Sequence, residues 1–254
     1  MRKATFFYLL RRGLLGAGGF VRDGLVMAAS KFKLSGLTHP SSGSAEFDGS
    51  SDYIQLDTPF SYTNHTIAAW VYANDTASDK VVLDSRDAND DGIYIVVSNT
   101  ETLRYELNTS NASYSTSRAN EWIYVTATYD GTTQKLYIDG SEEASNTTSQ
   151  TISTTTNVKI GSRSFSSPVN YFNGNLANVA IWNRALSSDE INSVMWKGYD
   201  ALEASEKSGL KAWYSLDDVA SPAASLATME ALAVDKDATI ENKAAVTAAI
   251  NALS

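Results

Sequence analysis

The chain has 254 residues, of which 43% are hydrophobic and 19% are charged, a composition that excludes wholesale disorder. It contains no cysteine, which excludes a disulfide framework, a zinc–thiolate site and a cysteine nucleophile. The formal net charge of −9 is unevenly distributed, because residues 1–40 carry seven Lys or Arg and one Asp, so the remainder is strongly acidic.

Residues 1–43 are predicted to form a basic, glycine-containing N-terminal arm. The apolar run at residues 4–10 is short for a secretory signal and no stretch approaches the ~20 apolar residues of a membrane span, so we predict intracellular assembly. A basic arm on an acidic body favours docking onto an acidic protein surface, including that of a second copy. Nucleic acid, the less expected, and an anionic membrane are the rival partners, and a solvated tail without a partner is the remaining alternative. The residues expected to dock are Arg2, Lys3, Arg11, Arg12 and Arg22.

Residues 44–218 are predicted to form one β domain, because β-branched segments alternate with turn signals about every 8–12 residues. In "TIAAWVYA" both faces are apolar, with Ile67 on one and Trp70 on the other, which indicates an inner strand. "EWIYVTATYDGTTQKLYIDG" predicts two strands joined by a tight turn at Asp130 and Gly131.

The end of this domain combines a helix with a further strand. Ser187 followed by Glu190 is a capping-box pattern, which predicts a short helix at 187–198 that ends at Gly198. "GLKAWYSLDD" then predicts an edge strand at 210–217 that closes the domain. Residues 219–254 change to an alanine-rich composition and are predicted to be a helical C-terminal extension.

Five phrases occur in an order that a known family shares: "AEFDGSSDYIQL", "HTIAAWVYA", "NEWIYVTATYDGTTQKLYIDG", "VKIGS" and "FNGNLANVAIWNRALSSDEI". Residues 45–191 thereby resemble the laminin-G-like branch of the concanavalin A-like lectin/glucanase jelly rolls. The resemblance implies an all-β, antiparallel two-sheet jelly-roll sandwich, here with an N-terminal arm and short C-terminal helices. It also implies that a pair of acidic residues found in relatives falls on Ala177 and Asn178 here, which puts their role in doubt.

Three tryptophans lie in predicted strands, namely Trp70, Trp122 and Trp182. Large rings can fill the ~10 Å between two packed sheets, so we expect these three side chains to do so.

The segment "DSRDANDDGIYIVV" contains four Asp residues within eight positions. Asp87, Asn89 and Asp91 match the first half of an EF-hand loop, but Ser98 stands where the final Glu is required and strand residues follow. We therefore predict a turn between two strands, and keep a looser calcium site as the alternative, since family members often bind Ca²⁺ near a loop rim. No cofactor is required by this interpretation.

No catalytic centre is evident, so we predict that the protein is not an enzyme. Glucanases of this fold carry a Glu-x-Asp-x-x-Glu strand, and the nearest match, starting at Glu46 and Asp48, has Ser51 in place of the last Glu. His39 and His65 have no nucleophile pattern near them and are expected to be solvated loop residues.

Sugar binding requires less: an exposed aromatic ring and a few planar polar side chains. The predicted loops offer Tyr114, Phe165 and Tyr171, which we expect either to form a glycan-binding rim or to pack at the rim of the core.

Two functions are consistent with these features. The first is a virion structural protein of a bacteriophage, a capsid decoration or tail-associated subunit assembled in the host cytoplasm, oligomeric, bound to other virion proteins and able to contact glycans. Laminin-G-like domains resembling this one occur in phage structural proteins, which is an argument by analogy. The second is an extracellular carbohydrate-binding or adhesion module. A glycan hydrolase is a distant third.

Overall fold

A computed structural model describes residues 20–22, 25–27, 43–56, 60–75, 78–98, 102–115, 118–152, 158–164 and 169–216. The chain divides into two compact units, Met1–Thr38 and His39–Ser254. In the first unit, β1 (Phe20–Arg22) and β2 (Leu25–Met27) pair antiparallel. The other predicted docking residues of the arm and the predicted helices of 219–254 lie outside the described residues, and only the backbone of Arg22 is described.

The second unit is a sandwich of two sheets in which every described strand pair is antiparallel, and the predicted fold class is confirmed. The seven-stranded sheet runs β12 (Ser141–Thr147), β11 (Thr133–Ile138), β10 (Trp122–Tyr129), β5 (His65–Ala73), β14 (Asn173–Trp182), with β3 (Ala45–Asp48) and β15 (Leu210–Tyr214) both beside β14. The six-stranded sheet runs β4 (Ile54–Leu56), β13 (Val158–Ile160), β6 (Lys80–Asp84), β7 (Ile93–Val97), β8 (Thr102–Leu107), β9 (Ser110–Ser115).

Strand β14 carries two shorter strands along one edge. Its first half pairs with β3, with Gly174 opposite Phe47, and its second half pairs with β15, with Val179 opposite Tyr214. The predicted closing strand is therefore confirmed, and it completes the edge that β3 leaves open.

The apolar residues of β5 serve two separate cores. Ile67, Ala69 and Val71 join the main core between the two sheets, whereas Ala68 and Trp70 join a second core on the outer face of the seven-stranded sheet. This arrangement confirms the inner strand, because β5 lies between β10 and β14.

The prediction that tryptophans fill the space between the sheets is wrong. Trp70 and Trp182 belong to the second core, and Trp122 packs against that same core. Side chains alternate along a strand, so once Ile67 and Val71 face the other sheet, Trp70 must face away from it.

A short helical layer covers the second core. It consists of α1 (Ser188–Val194), a 3₁₀ turn (Tyr199–Ala201) and α2 (Ala204–Lys207). The predicted capping box of α1 is confirmed: the Ser187 hydroxyl accepts from the Glu190 backbone and the Glu190 carboxylate accepts from the Ser187 backbone. The predicted end at Gly198 is wrong, because α1 ends at Val194 and Gly198 instead precedes the 3₁₀ turn. Within the part of the chain that the structure describes, no helix is long and apolar enough to cross a membrane.

Candidate functional site

The acidic segment forms the predicted turn between β6 and β7. The Asp87 carboxylate accepts hydrogen bonds from the backbone N–H groups of Asn89 at 2.8 Å and Asp91 at 3.1 Å, as in an Asx turn. The turn brings Asp87, Asn89 and Asp91 together, but the described residues include no group of three or more acidic or histidine side chains placed to hold a metal ion. Calcium binding here stays a prediction.

Beside this turn, an ion-pair network lies on the outer face of the six-stranded sheet. Arg86 forms ion pairs with Asp84 and Glu106, both at 3.2 Å, and its guanidinium lies 3.6 Å from the centre of the Tyr94 ring. Burial opposes the charge of Arg86, but the hydrogen bond and charge of Asp84 outweigh it and raise the pKa of the guanidinium. Both Asp84 and Arg86 are buried, so their charges compensate each other within the protein and do not offer a surface for a ligand.

The aromatic residues predicted to form a glycan-binding rim are not brought together. Tyr114 lies on β9, at one edge of the six-stranded sheet, and is 38% exposed. Tyr171 packs on Tyr53 with ring centroids 6.5 Å apart, next to β4 at the opposite edge of that sheet. Phe165 lies outside the described residues.

The prediction that His65 is a solvated loop residue is wrong, since it is the first residue of β5 and is fully buried. Its Nε2 lies 2.6 Å from the hydroxyl of Tyr105 on β8, so this contact joins the two sheets through the main core. Its Nδ1 lies 3.4 Å from the carbonyl oxygen of Tyr62, which can only accept, so Nδ1 carries the proton and the Tyr105 hydroxyl donates to Nε2. Burial lowers the pKa of His65 to about 4. His39 lies outside the described residues.

The strand segment nearest to a glucanase pattern ends in a turn. The Asp48 carboxylate accepts from the backbone N–H groups and the hydroxyls of both Ser50 and Ser51, at 2.7–2.8 Å. Desolvation acts to raise the pKa of Asp48, but these hydrogen bonds outweigh it and hold the pKa well below its usual range. Asp48 is therefore held ionised as a turn-forming residue and cannot supply a proton near neutral pH.

A polar cleft of about 400 Å³ lies on the outer face of the seven-stranded sheet, beside the segment that leads into α1. Its walls include Lys135 and Glu142, which form an ion pair at 2.9 Å, and the hydrogen bond that Lys135 donates to Glu142 raises the pKa of Lys135. Tyr137 at its floor is 4% exposed, so its ring has no open face for stacking. The volume suits a small ligand, but the cleft lacks an exposed aromatic surface.

At the other end of β10, aromatic side chains reach the surface on the same outer face. Tyr72 and Trp122 are cross-strand partners, both half-buried, with ring centroids 5.6 Å apart. Trp196, which follows α1, is 42% exposed and stacks on Trp70 with centroids 5.2 Å apart. We call Tyr72, Trp122 and Trp196 the aromatic row.

Two polar side chains extend the aromatic row across the sheet. Asn175 on β14 is the cross-strand partner of Tyr72, and Glu46 on β3 is the partner of Asn175. Successive partners lie ~4.8 Å apart, so Glu46, Asn175, Tyr72 and Trp122 span roughly 14 Å in a line across four strands. Glu46 is exposed and Asn175 is half-buried.

Strands β14 and β5 approach closely beside this line. Gly174 has a φ of +139°, and a Cβ there would collide with the carbonyl oxygen of Tyr72. Only glycine allows the two strands to approach in this way at the base of the aromatic row.

Sequence reasoning missed the aromatic row because its members come from separate strands and from the segment after a helix. The alternation in "TIAAWVYA" already placed Tyr72 on the face of Trp70. What the sequence does not state is that β3, β14, β5 and β10 are neighbours, which aligns Glu46 and Asn175 with those rings.

Comparison with known proteins gives the family and the fold. The family model Laminin_G_3, described as the concanavalin A-like lectin/glucanases superfamily, matches residues 48–192. No curated protein sequence matches the chain.

Among solved structures, the chain is similar to a Bacteroides ovatus protein to which carbohydrate binding is provisionally ascribed, with a TM-score of 0.58 and 17% identity over 70% of this chain. It is also similar to the heptameric SAP-like pentraxin of Limulus polyphemus, with a TM-score of 0.52 and 15% identity over 63% of this chain. The chain spans 52% of the Bacteroides protein and 84% of the pentraxin. At these identities the likeness shows the fold alone.

Proposed function

Because the chain belongs to the concanavalin A-like lectin/glucanases superfamily, we propose that it is a non-catalytic carbohydrate-binding module whose glycan lies on the aromatic row. The observation that carries the proposal is the partial exposure of Tyr72, Trp122 and Trp196 on one face of the sheet, where Tyr72 and Trp122 lie in line with Asn175 and Glu46. The carbohydrate binding ascribed to the Bacteroides ovatus protein of the same fold supports this class of ligand.

The chemistry of the aromatic row suits a sugar. The C–H face of a pyranose ring is apolar and packs on an aromatic ring, while its hydroxyls need planar donors and acceptors at the side. Asn175 supplies an amide and Glu46 a carboxylate, which together can donate to and accept from hydroxyls. The cleft near Lys135 lacks the stacking surface, so we place the glycan on the aromatic row.

The absence of catalysis is part of the proposal. Glu46 and Asp48 lie two residues apart on one strand face, a spacing of ~7 Å, which is within the ~5–9.5 Å range of glycosidase carboxylates. Asp48 cannot act as the acid, because the hydrogen bonds from Ser50 and Ser51 keep it ionised. Ser51, which stands where the glucanase pattern has its last Glu, donates to Asp48 and leaves the site without an acid. Incubation with the polysaccharide that binds should therefore release no reducing ends.

The test begins with a glycan array, followed by calorimetric titration of the best oligosaccharide against the wild type and three variants. Trp122→Ala should weaken binding about 5- to 150-fold, if stacking of a sugar on an aromatic side chain contributes the about 1–3 kcal/mol known for bases on such side chains. Tyr114→Ala and Tyr171→Ala remove aromatic rings of comparable exposure from the two edges of the other sheet, and should leave affinity within about twofold.

Two results would contradict the proposal. One is a full array with no bound glycan, and the other is a glycan whose affinity depends on Tyr114 or Tyr171 and not on Trp122. Thermal unfolding of each variant separates loss of binding from loss of the fold.

The virion role predicted from the sequence depends on the N-terminal arm and on residues 219–254, which lie outside the described residues. It stays a prediction and is compatible with glycan binding by the sandwich. Deletion of the arm should abolish incorporation into particles and leave glycan affinity unchanged.

A further inference from the structure

We propose that the aromatic row selects neutral glycans and rejects anionic ones, an inference that rests on the proposed function and names the ligand class of that site. The argument comes from the charges that surround the rings. Sialic acids, uronic acids and sulfated sugars carry a negative charge, which a binding site stabilises with cations or hydrogen-bond donors and which nearby carboxylates repel.

One end of the line is acidic. Glu46 is exposed, occupies the same strand face as Tyr72 and Trp122, and its carboxylate forms no hydrogen bond or ion pair with another described residue. Asp48, two residues further along β3, is also exposed and ionised on that face. A glycan lying across Asn175 therefore meets two carboxylates at this end.

Two cations that lie close to the tryptophans in sequence are already paired. Arg118, four residues before Trp122, forms ion pairs with Glu121 at 3.0 Å and Asp139 at 2.8 Å. Lys197, directly after Trp196, forms an ion pair with Glu206 at 2.6 Å.

Each of these cations would have to exchange a carboxylate of the protein for a carboxylate of the ligand, with no net gain of charge pairing. An anionic sugar on the aromatic row thus faces Glu46 and Asp48 without a compensating cation from Arg118 or Lys197. A neutral sugar keeps its hydrogen bond to Glu46, and a carboxylate accepts hydroxyl protons more strongly than a neutral oxygen does.

The experiment compares a neutral oligosaccharide that binds on the array with its sialylated form, by calorimetric titration at low ionic strength. The wild type should bind the sialylated form about fivefold more weakly, which corresponds to about 1 kcal/mol of like-charge repulsion at an exposed site. High salt should shrink the difference, because exposed charges are screened within about 10 Å.

Three variants make the test specific. Glu46→Gln should remove most of the discrimination, and Glu46→Lys should reverse it in favour of the sialylated form. Glu143→Lys is the matched control: it makes the same change in net charge on β12, at the opposite edge of the seven-stranded sheet, and should leave the discrimination as in the wild type.

The outcomes separate this inference from the proposed function. Sialylated glycan that binds the wild type as tightly as the neutral form, through Trp122, overturns the charge selection and leaves glycan binding intact. Equal effects of Glu46→Lys and Glu143→Lys overturn it as well, since overall charge would then explain both. If the affinity of no glycan depends on Trp122, the aromatic row is not the binding site, and the charge selection proposed for it fails as well.

Discussion

His65 carries a local sequence signal that its environment contradicts. It stands between Asn64 and Thr66, two polar residues, and this favours exposure. In the fold it begins the central strand β5 and meets Tyr105, which is distant in sequence and comes from the other sheet. No local pattern encodes that contact, so a buried, hydrogen-bonded histidine could not be predicted from the neighbouring residues.

The burial of His65 makes stability depend on pH. Its pKa is about 4 in the folded chain and ~6.5 when unfolded, so between these values the unfolded chain binds more protons and acid favours unfolding. The contribution of His65 to stability is fully present above pH 6.5 and is lost as pH falls toward 4. The free energy of unfolding should therefore decrease by about 2 kcal/mol between pH 7 and pH 5.

Urea unfolding at several pH values measures this slope. His65→Gln keeps hydrogen-bonding groups near Tyr105 but does not titrate, so its stability should be nearly flat over the same interval. Carboxylates such as Glu190, whose pKa the Arg184 hydrogen bond lowers to about 2, act only at lower pH. An unchanged slope in His65→Gln would show that another group is responsible.

At the level of elements, the sequence predicts where strands and turns lie better than it predicts which face of a strand meets the other sheet. The Asp130–Gly131 turn forms as expected, with the Asp130 side chain accepting from the backbone of Thr132 and Thr133. For β5, both faces are apolar, so alternation sorts Ile67 and Trp70 into two sets without identifying which set meets the second sheet. The position of the helical layer decides this, and it is a tertiary property.

The capping box of α1 should contribute measurably to the free energy of unfolding. Ser187→Ala removes the side-chain acceptor for the Glu190 backbone N–H and should lower the free energy of unfolding by about 1 kcal/mol. Ile191 and Val194 of this helix cover the second core, so the loss appears in global urea unfolding.

Ser188→Ala is the control for the cap. Ser188 is the exposed first residue of α1 and its side chain is not part of the capping box, so its replacement should change stability by less than about 0.5 kcal/mol. Equal losses in Ser187→Ala and Ser188→Ala would contradict a specific role for the cap.

At the scale of the sandwich, both faces of the seven-stranded sheet have a role. The inner face of the seven-stranded sheet packs on the six-stranded sheet, and its outer face carries the helical layer, the aromatic row and the polar cleft beside Lys135. On the outer face of the other sheet, Arg86 packs on Tyr94 and forms ion pairs with Asp84 and Glu106. We propose the aromatic row as the glycan surface because its rings are partly exposed. The five phrases shared with the family predict this sandwich, whereas the aromatic row arises from strand order.

The most direct measurement of the glycan site is a titration followed by the indole N–H signals in nuclear magnetic resonance spectra. The chain has five tryptophans, and each signal is assigned by single substitution. The aromatic-row account predicts that a bound oligosaccharide shifts the signals of Trp122 and Trp196, and leaves those of the buried Trp182 and Trp213 in place. Saturable glycan binding with unmoved Trp122 and Trp196 signals would contradict it.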